Sequence, residues 1–263
     1  MIRRIAVQAL ATPPILTVLR RRALAGGPVS ILCYHTLGPD AGGVDGWTVR
    51  RTGDFRADLA YLTRHYDIVS LDTALDQRAA SGRERPRAVL TFDDGDRGLA
   101  RHLGPIMSQT GQPATIYVAT SQIETGQPFW FDRVVNALQQ GGEIDVADLG
   151  RWRVPETAGK ARWAVLRQIL AALKAAAPKD REALADAVAA AGASAPPPGL
   201  GPMTRAELAD LAAQPGITIG AHSHGHELLD QLPLDAARVS VKRSRTLLQD
   251  WTGQDVRHFA FPN

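Results

Sequence analysis

From residue 29 onward the chain alternates short runs of β-branched and apolar residues with stretches whose apolar positions recur at helical spacing. This rhythm restricts the fold more than any other feature. Alternation of that kind is the signature of βα units around a mostly parallel sheet, so the expected class is α/β. VSILCY (29–34), RAVLTF (87–92), ATIYVAT (114–120) and ITIGA (217–221) read as strands, YDIVSL (66–71) as a shorter one and VRHFAF (256–261) as the last. DFRADLAYLTRHY (54–66) has helical periodicity. A second helix is expected from Asp72, as N-cap, to Ala80. A third covers 97–110 and stops at Gly111 and Pro113. MTRAELADLAAQ (203–214) opens with Thr204 as N-cap and Glu207 at the capping-box position. PLDAARVSVKRSRTLLQDWTG (233–253) is the helix before the last strand.

Residues from about 121 to 202 break the rhythm. FWFDRVVNALQQGG, AGKARWAVLRQILAALKAAA and KDREALADAVAAAG each read as helical, and ASAPPPGLGP closes the segment as a loop. The expectation is an α-helical insertion in a domain spanning 29–263. No apolar heptad is sustained along it, so its alanine-rich faces imply helix packing rather than a coiled coil.

Residues 1–28 form a separate basic, apolar segment. Pro13 and Pro14 interrupt its apolar stretch, and Arg20, Arg21 and Arg22 precede the small-residue run at 23–25. It is short for a spanning helix, which needs about 18–20 apolar residues, and the arginines are misplaced for a cleavable signal. Two readings of residues 1–25 stand side by side: peripheral contact with an anionic membrane surface, or a frayed N-terminal extension or leading helix. Either favours the cytoplasm or the inner-membrane surface over secretion. The 30 basic residues outnumber the 27 acidic ones only slightly and are scattered, which argues against a nucleic-acid partner. The single cysteine, Cys33, excludes an intramolecular disulfide framework and reads as a buried structural thiol.

In parallel α/β folds, functional groups collect beyond the carboxyl ends of the strands. His35 follows the first strand, Asp93 and Asp94 follow RAVLTF, and His222, Ser223, His224 and His226 follow ITIGA. Pro262 and Asn263 follow the last strand. Two histidines at i and i+4 with a carboxylate provide three ligands and leave a position open, as in catalytic zinc sites. A divalent ion so held acidifies water and polarises a carbonyl, which suits amide or ester hydrolysis. A neighbouring carboxylate off the metal serves as base. Asp93 and Asp94 can divide those tasks, because successive residues at a strand end point apart and Gly95 permits a sharp turn. His65, His102 and His258 sit within helical or strand patterns and are expected to be structural or to lie at the surface.

TFDDG followed by HSHGH resembles the first two motifs of the polysaccharide deacetylases, the carbohydrate esterases that include chitin and peptidoglycan deacetylases. LCYH and RHFAFPN are similar to further segments of bacterial members, and FWFDRVVNAL to an insertion in some of them. The resemblance implies a distorted (β/α) barrel and removal of acetyl groups from a polysaccharide or oligosaccharide, usually at N-acetylglucosamine units. It implies Asp93 as general base, with Asp94, His222 and His226 as ligands of Zn2+ or of Co2+ or Ni2+. Ser223 matches the loop-supporting Ser/Thr, and His224 falls at a variable position. His35, Pro262 and Asn263 stand as substrate contacts. Where many members carry Arg-x-Pro-Tyr, alignment on the proline puts Ala260 at the arginine and Asn263 at the tyrosine. Members of the family continue past the position of Asn263 to a histidine acting as general acid, so the expectation is a truncated chain with an incomplete barrel. A non-catalytic saccharide- or metal-binding remnant is the competing expectation.

Overall fold

Five short strands, all parallel, form the centre of the molecule in the computed structural model, which describes residues 29–76, 85–192 and 199–262. In chain order the elements are β1 (Val29–Tyr34), β2 (Thr36–Gly38), β3 (Val49–Arg51), α1 (Thr52–His65), β4 (Asp67–Ile68), α2 (Leu71–Leu75) and β5 (Arg87–Phe92). A π-helical turn, Leu99–Leu103, runs into α3 (Gly104–Thr110), followed by β6 (Ala114–Val118) and α4 (Thr120–Thr125). Next come α5 (Trp130–Ala137), β7 (Gly142–Val146), β8 (Gly150–Val154), α6 (Lys160–Ala175) and α7 (Pro178–Ala191). The chain then forms α8 (Arg205–Ala212), β9 (Ile217–Ala221) and α9 (Leu234–Thr252).

The main sheet has the order β1-β5-β6-β9, with β4 alongside the start of β5. All six residues of β5 and all five of β6 are buried, as expected of parallel strands covered on both faces. Phe55 of α1, Leu103, Ile106 and Met107 around α3, and Leu208 and Leu211 of α8 pack in the same core as Leu90, Phe92, Ile116 and Ile219. The α/β class is as the sequence implies. Among the described residues the strands make an open sheet rather than a closed barrel.

β6 and β9 are hydrogen-bonded neighbours, so everything between α4 and α8 is inserted between adjacent strands. This segment has its own core, in which Val134, Leu138, Leu166, Ile169 and Leu173 meet Ile144 and Val146. It is not all helical: β7 and β8 form an antiparallel hairpin. In β7 Ile144 and Val146 are buried between exposed residues, an alternation of period two. Asp45, in the loop joining β2 and β3, which pair as a separate two-stranded sheet, ties the segment to the rest of the fold. Its carboxylate accepts hydrogen bonds from Gly159 N (2.7 Å) at the N-terminus of α6 and from Trp163 Nε1 (2.8 Å).

Several local expectations need correction. Ser70, not Asp72, caps α2, its hydroxyl accepting from Thr73 N at 3.2 Å. Asp72 instead meets His258 and Arg257, each at 3.1 Å. The remainder of the helix expected to Ala80 lies outside the described residues, as do residues 1–28 and most of ASAPPPGLGP. No described helix is long and apolar enough to cross a membrane. YDIVSL contributes only the two-residue β4, and VRHFAF only one parallel bridge, Phe259 to Ala221. That pairing stops where Pro262, which has no N–H, follows an exposed Phe261. The Thr204–Glu207 capping box is present as expected.

Candidate metal centre and active-site cleft

The turn after β5 brings its carboxylates to the sheet rim. Asp93 extends the strand by one bond, its N–H donating to Tyr34 O at 3.0 Å. Asp94 then adopts φ 76° and Gly95 φ 84°, reversing the chain. A Cβ at Gly95 would lie 2.9 Å from Val118 Cγ1, so glycine is required there. Gln122 Nε2 donates to Asp94 O at 2.5 Å. Asp96, which no motif in the sequence marks, holds the turn in place. Its carboxylate accepts from Thr36 Oγ1 (2.5 Å), Gly98 N (2.7 Å) and Gly201 N (2.8 Å).

The second rim loop follows β9. His222 and Ser223 are almost fully buried, and Ser223 (φ 62°) and His226 (φ 56°) occupy the left-handed region. Such conformations in non-glycine residues persist only where the surroundings impose them, and they concentrate at functional sites. Here Glu227 closes the loop, accepting from Gly225 N (3.0 Å) and from Ser240 Oγ (2.8 Å). His224 points elsewhere: its Nδ1 is 2.8 Å from Thr120 Oγ1 and its Nε2 is 3.7 Å from Glu124. Burial, with Arg243 nearby, holds its pKa below the usual histidine value. It is not part of the cluster, in keeping with its unassigned position in the sequence.

The two loops meet at Asp94, His222 and His226, whose donor atoms all lie within 4.8 Å of one another. His222 Nε2 and His226 Nε2 stand 3.5 and 3.1 Å from Asp94 Oδ1. Neither contact has hydrogen-bond geometry, and Asp94 Oδ1 is buried without a hydrogen-bond partner. A buried carboxylate oxygen left in this state is costly unless something else compensates it. Ligand atoms about 2.0–2.1 Å from a tetrahedral zinc are separated by about 3.3 Å, which matches the observed spacings. His222 Nδ1 lies 3.0 Å from Ala260 O. Donation of the Nδ1 proton to that carbonyl leaves Nε2 with its lone pair toward Asp94. The donor set and its geometry therefore fit a divalent cation. Burial opposes ionisation of Asp94, but the two imidazoles outweigh it and hold the carboxyl well below its usual range. Burial likewise opposes a charge on His222, and contact with Asp94 reverses the effect and raises its pKa.

Asp93 faces the same cleft without joining the triad. Cys33 Sγ donates to Asp93 Oδ2 at 3.2 Å, and burial together with Asp93 pushes the thiol up to about 12. Cys33 is exposed, contrary to the buried thiol expected from its apolar surroundings, because β1 is an edge strand of the sheet.

The cleft has a volume of about 480 Å3. His35 lines it, whereas Pro262 lines an adjoining cleft and Asn263 lies outside the described residues. Its remaining walls come from residues the sequence reading did not single out. Phe129 and Phe131 pack on the His226 ring at 4.9 and 5.2 Å between centroids. Asp132, on the same helix, is raised well above the usual carboxyl range by burial and by the proximity of Asp96 and Asp94. A lone charge within the aromatic run FWFD is the only local signal for it in the sequence.

Residues 80–263, more than half of the chain, match the family model described as Polysaccharide deacetylase. The fold is similar to that of the Streptococcus pyogenes deacetylase PplD, solved in complex with acetate, with a TM-score of 0.53 and 15% identity. That alignment covers 89% of this chain and 73% of the other. For IcaB from Ammonifex degensii the TM-score is 0.51 and the identity 16%, covering 90% of this chain and 75% of the other. At these identities the likeness is one of fold. No curated protein sequence matches the chain.

Proposed function

Since the chain belongs to the polysaccharide deacetylase family, hydrolases of non-peptide carbon–nitrogen bonds, we propose that it removes acetyl groups from amino-sugar units in a metal-dependent reaction. Asp94, His222 and His226 hold one divalent ion, zinc or else cobalt or nickel, and Asp93 is the general base. The observation that carries this reading is the buried, unpartnered Oδ1 of Asp94 with two imidazole Nε2 atoms turned toward it. When bound, the ion supplies Lewis-acid polarisation of the acetyl carbonyl and acidification of water.

The protein's own groups do the rest. Asp93 is placed at the cleft to take a proton from the attacking water, oriented by the Cys33 thiol on Oδ2. The Ala260 carbonyl fixes the His222 tautomer, so the backbone at this position serves the site even though the side chain is not the family's arginine. Phe129 and Phe131 pack against the His226 ring and restrict its orientation. We read residues 29–263 as the deacetylase unit and about 121–202 as its insertion. Residues 1–25 are assigned to peripheral contact with an anionic membrane, and flotation with phosphatidylglycerol vesicles should be lost when they are removed.

Asp93→Asn tests the division of roles. It should keep one equivalent of zinc by elemental analysis while acetate release from a chitooligosaccharide falls by about 10²–10⁴-fold. Undiminished release from the folded variant would refute Asp93 as base. A wild type that binds no zinc, cobalt or nickel would refute the metal assignment.

A further inference from the structure

One wall of the cleft carries two cations that form no ion pair among the described residues. α6 is anchored on one side by Leu166, Ile169 and Leu173, all essentially fully buried. The neighbouring face presents Arg167, Leu170, Ala171 and Lys174 to the cleft, the i, i+3, i+4, i+7 pattern of a single helical stripe, with Leu170 also packed on the second core. Arg167 and Lys174 are therefore about 10 Å apart along a rigid axis, at 1.5 Å per residue. Arg167 lies over the Trp47 ring, 5.9 Å from its centroid. Among the described residues neither cation forms an ion pair, whereas Arg162 on the same helix pairs with Asp45 at 3.6 Å.

The carboxylates of the cleft are Asp93, Asp94, Asp96 and Asp132, and all belong to its floor or to α5. Asp96 is occupied by three hydrogen bonds, and Asp94 by the ligand set. Lys174 and Phe261 also line the adjoining cleft, which contains Asp230, so the surface continues beyond the space of one sugar. Arg167 and Lys174 are both exposed at the cleft, where a neutral acetylated glycan would make no use of their charge. A phosphate or carboxylate would meet both an Arg fork and a Lys ammonium.

We propose that the substrate carries a fixed anionic substituent, a phosphate ester or a carboxylate, within about one sugar of the acetamide, and that Arg167 and Lys174 bind it. This rests on the deacetylase reading and names the substrate class of that site.

The test compares three probes of equal length: the methyl glycoside of chitotriose, chitotriose 1-phosphate, and the aldonic acid made by oxidising the reducing end. Calorimetry on the zinc-loaded Asp93→Asn chain reads binding independently of turnover. The account expects at least one anionic probe to bind roughly tenfold or more tightly than the glycoside, with the preference shrinking as salt rises. Preference for the phosphate alone, or the carboxylate alone, identifies which group the cations read. The R167Q/K174Q double variant should bind all three alike. Equal affinities in the parent chain, or a preference that survives in the double variant, would overturn the proposal. Failure of the Asp93-intact enzyme to release acetate from any probe speaks instead against the deacetylase reading.

Discussion

At the carboxyl ends of β5 and β9, the side chains that matter are held by hydrogen bonds to the loops and by backbone forced into unusual conformations, as at Asp94, Ser223 and His226. In the segment between β6 and β9 the equivalent precision comes from a second hydrophobic core, which aims α5 at His226 and α6 at the cleft. One region assembles chemistry from short motifs; the other shapes a cleft from packing at a distance. The two should therefore fail differently when perturbed.

The largest effect is expected at the strand ends. Asp94→Ala or His222→Ala should abolish stoichiometric binding of a divalent ion, by elemental analysis, and with it acetate release. Denaturant midpoints would show that the core around Leu166 still folds. Unfolding of that core in either variant would erase the distinction between the two regions.

Leu166→Ala perturbs the other side. Leu166 is fully buried in the second core, and its truncation should cost about 2–5 kcal/mol of stability by denaturant titration. Metal stoichiometry should be retained while KM rises, since the walls loosen and the triad does not. Loss of metal from this variant would mean that α5 supports His226 more than the β9 loop does.

Acidity separates metal-free from loaded protein. The raised pKa of His222 contributes stability that is complete below its ordinary value and lost as pH rises through the raised one. The depressed pKa of Asp94 contributes stability present above its ordinary value and lost as pH falls through the depressed one. Both contributions are present between those limits, so the metal-free site is most favourable in mildly acid solution. A metal must displace the His222 proton, so zinc affinity should fall about tenfold per pH unit below the raised His222 pKa. Calorimetric titrations at several pH values would show the slope, and a flat profile would remove His222 from the ligand set.

The smallest effect lies outside both regions. Thr204→Ala removes the acceptor for Glu207 N and should cost about 1 kcal/mol, without change in metal content or cleft shape.

The contrast also explains what could be read from the chain alone. Asp93, Asp94, His222 and His226 were legible because strand ends of a parallel sheet share one rim, so short motifs far apart in sequence imply proximity. Thr204 and Glu207 were legible because a capping box is local. Asp132, Arg167 and Lys174 were not, because their approach to the cleft depends on how α5 and α6 pack against β7. Those strands were missed in turn, since their period-two alternation is only a few residues long between helical segments. The Cys33–Asp93 contact depends on β1 pairing beside β5, which no local pattern specifies. VRHFAF looked like a strand by composition, but pairing requires a partner in register and only Phe259 has one.

The central claim is the identity of the ligands, and X-ray absorption at the zinc edge of the loaded protein tests it most directly. The account predicts two imidazole nitrogens at about 2.0–2.1 Å, oxygen in the remaining positions, and no sulfur despite the nearby Cys33 thiol. A sulfur scatterer near 2.3 Å, or a single imidazole, would contradict it.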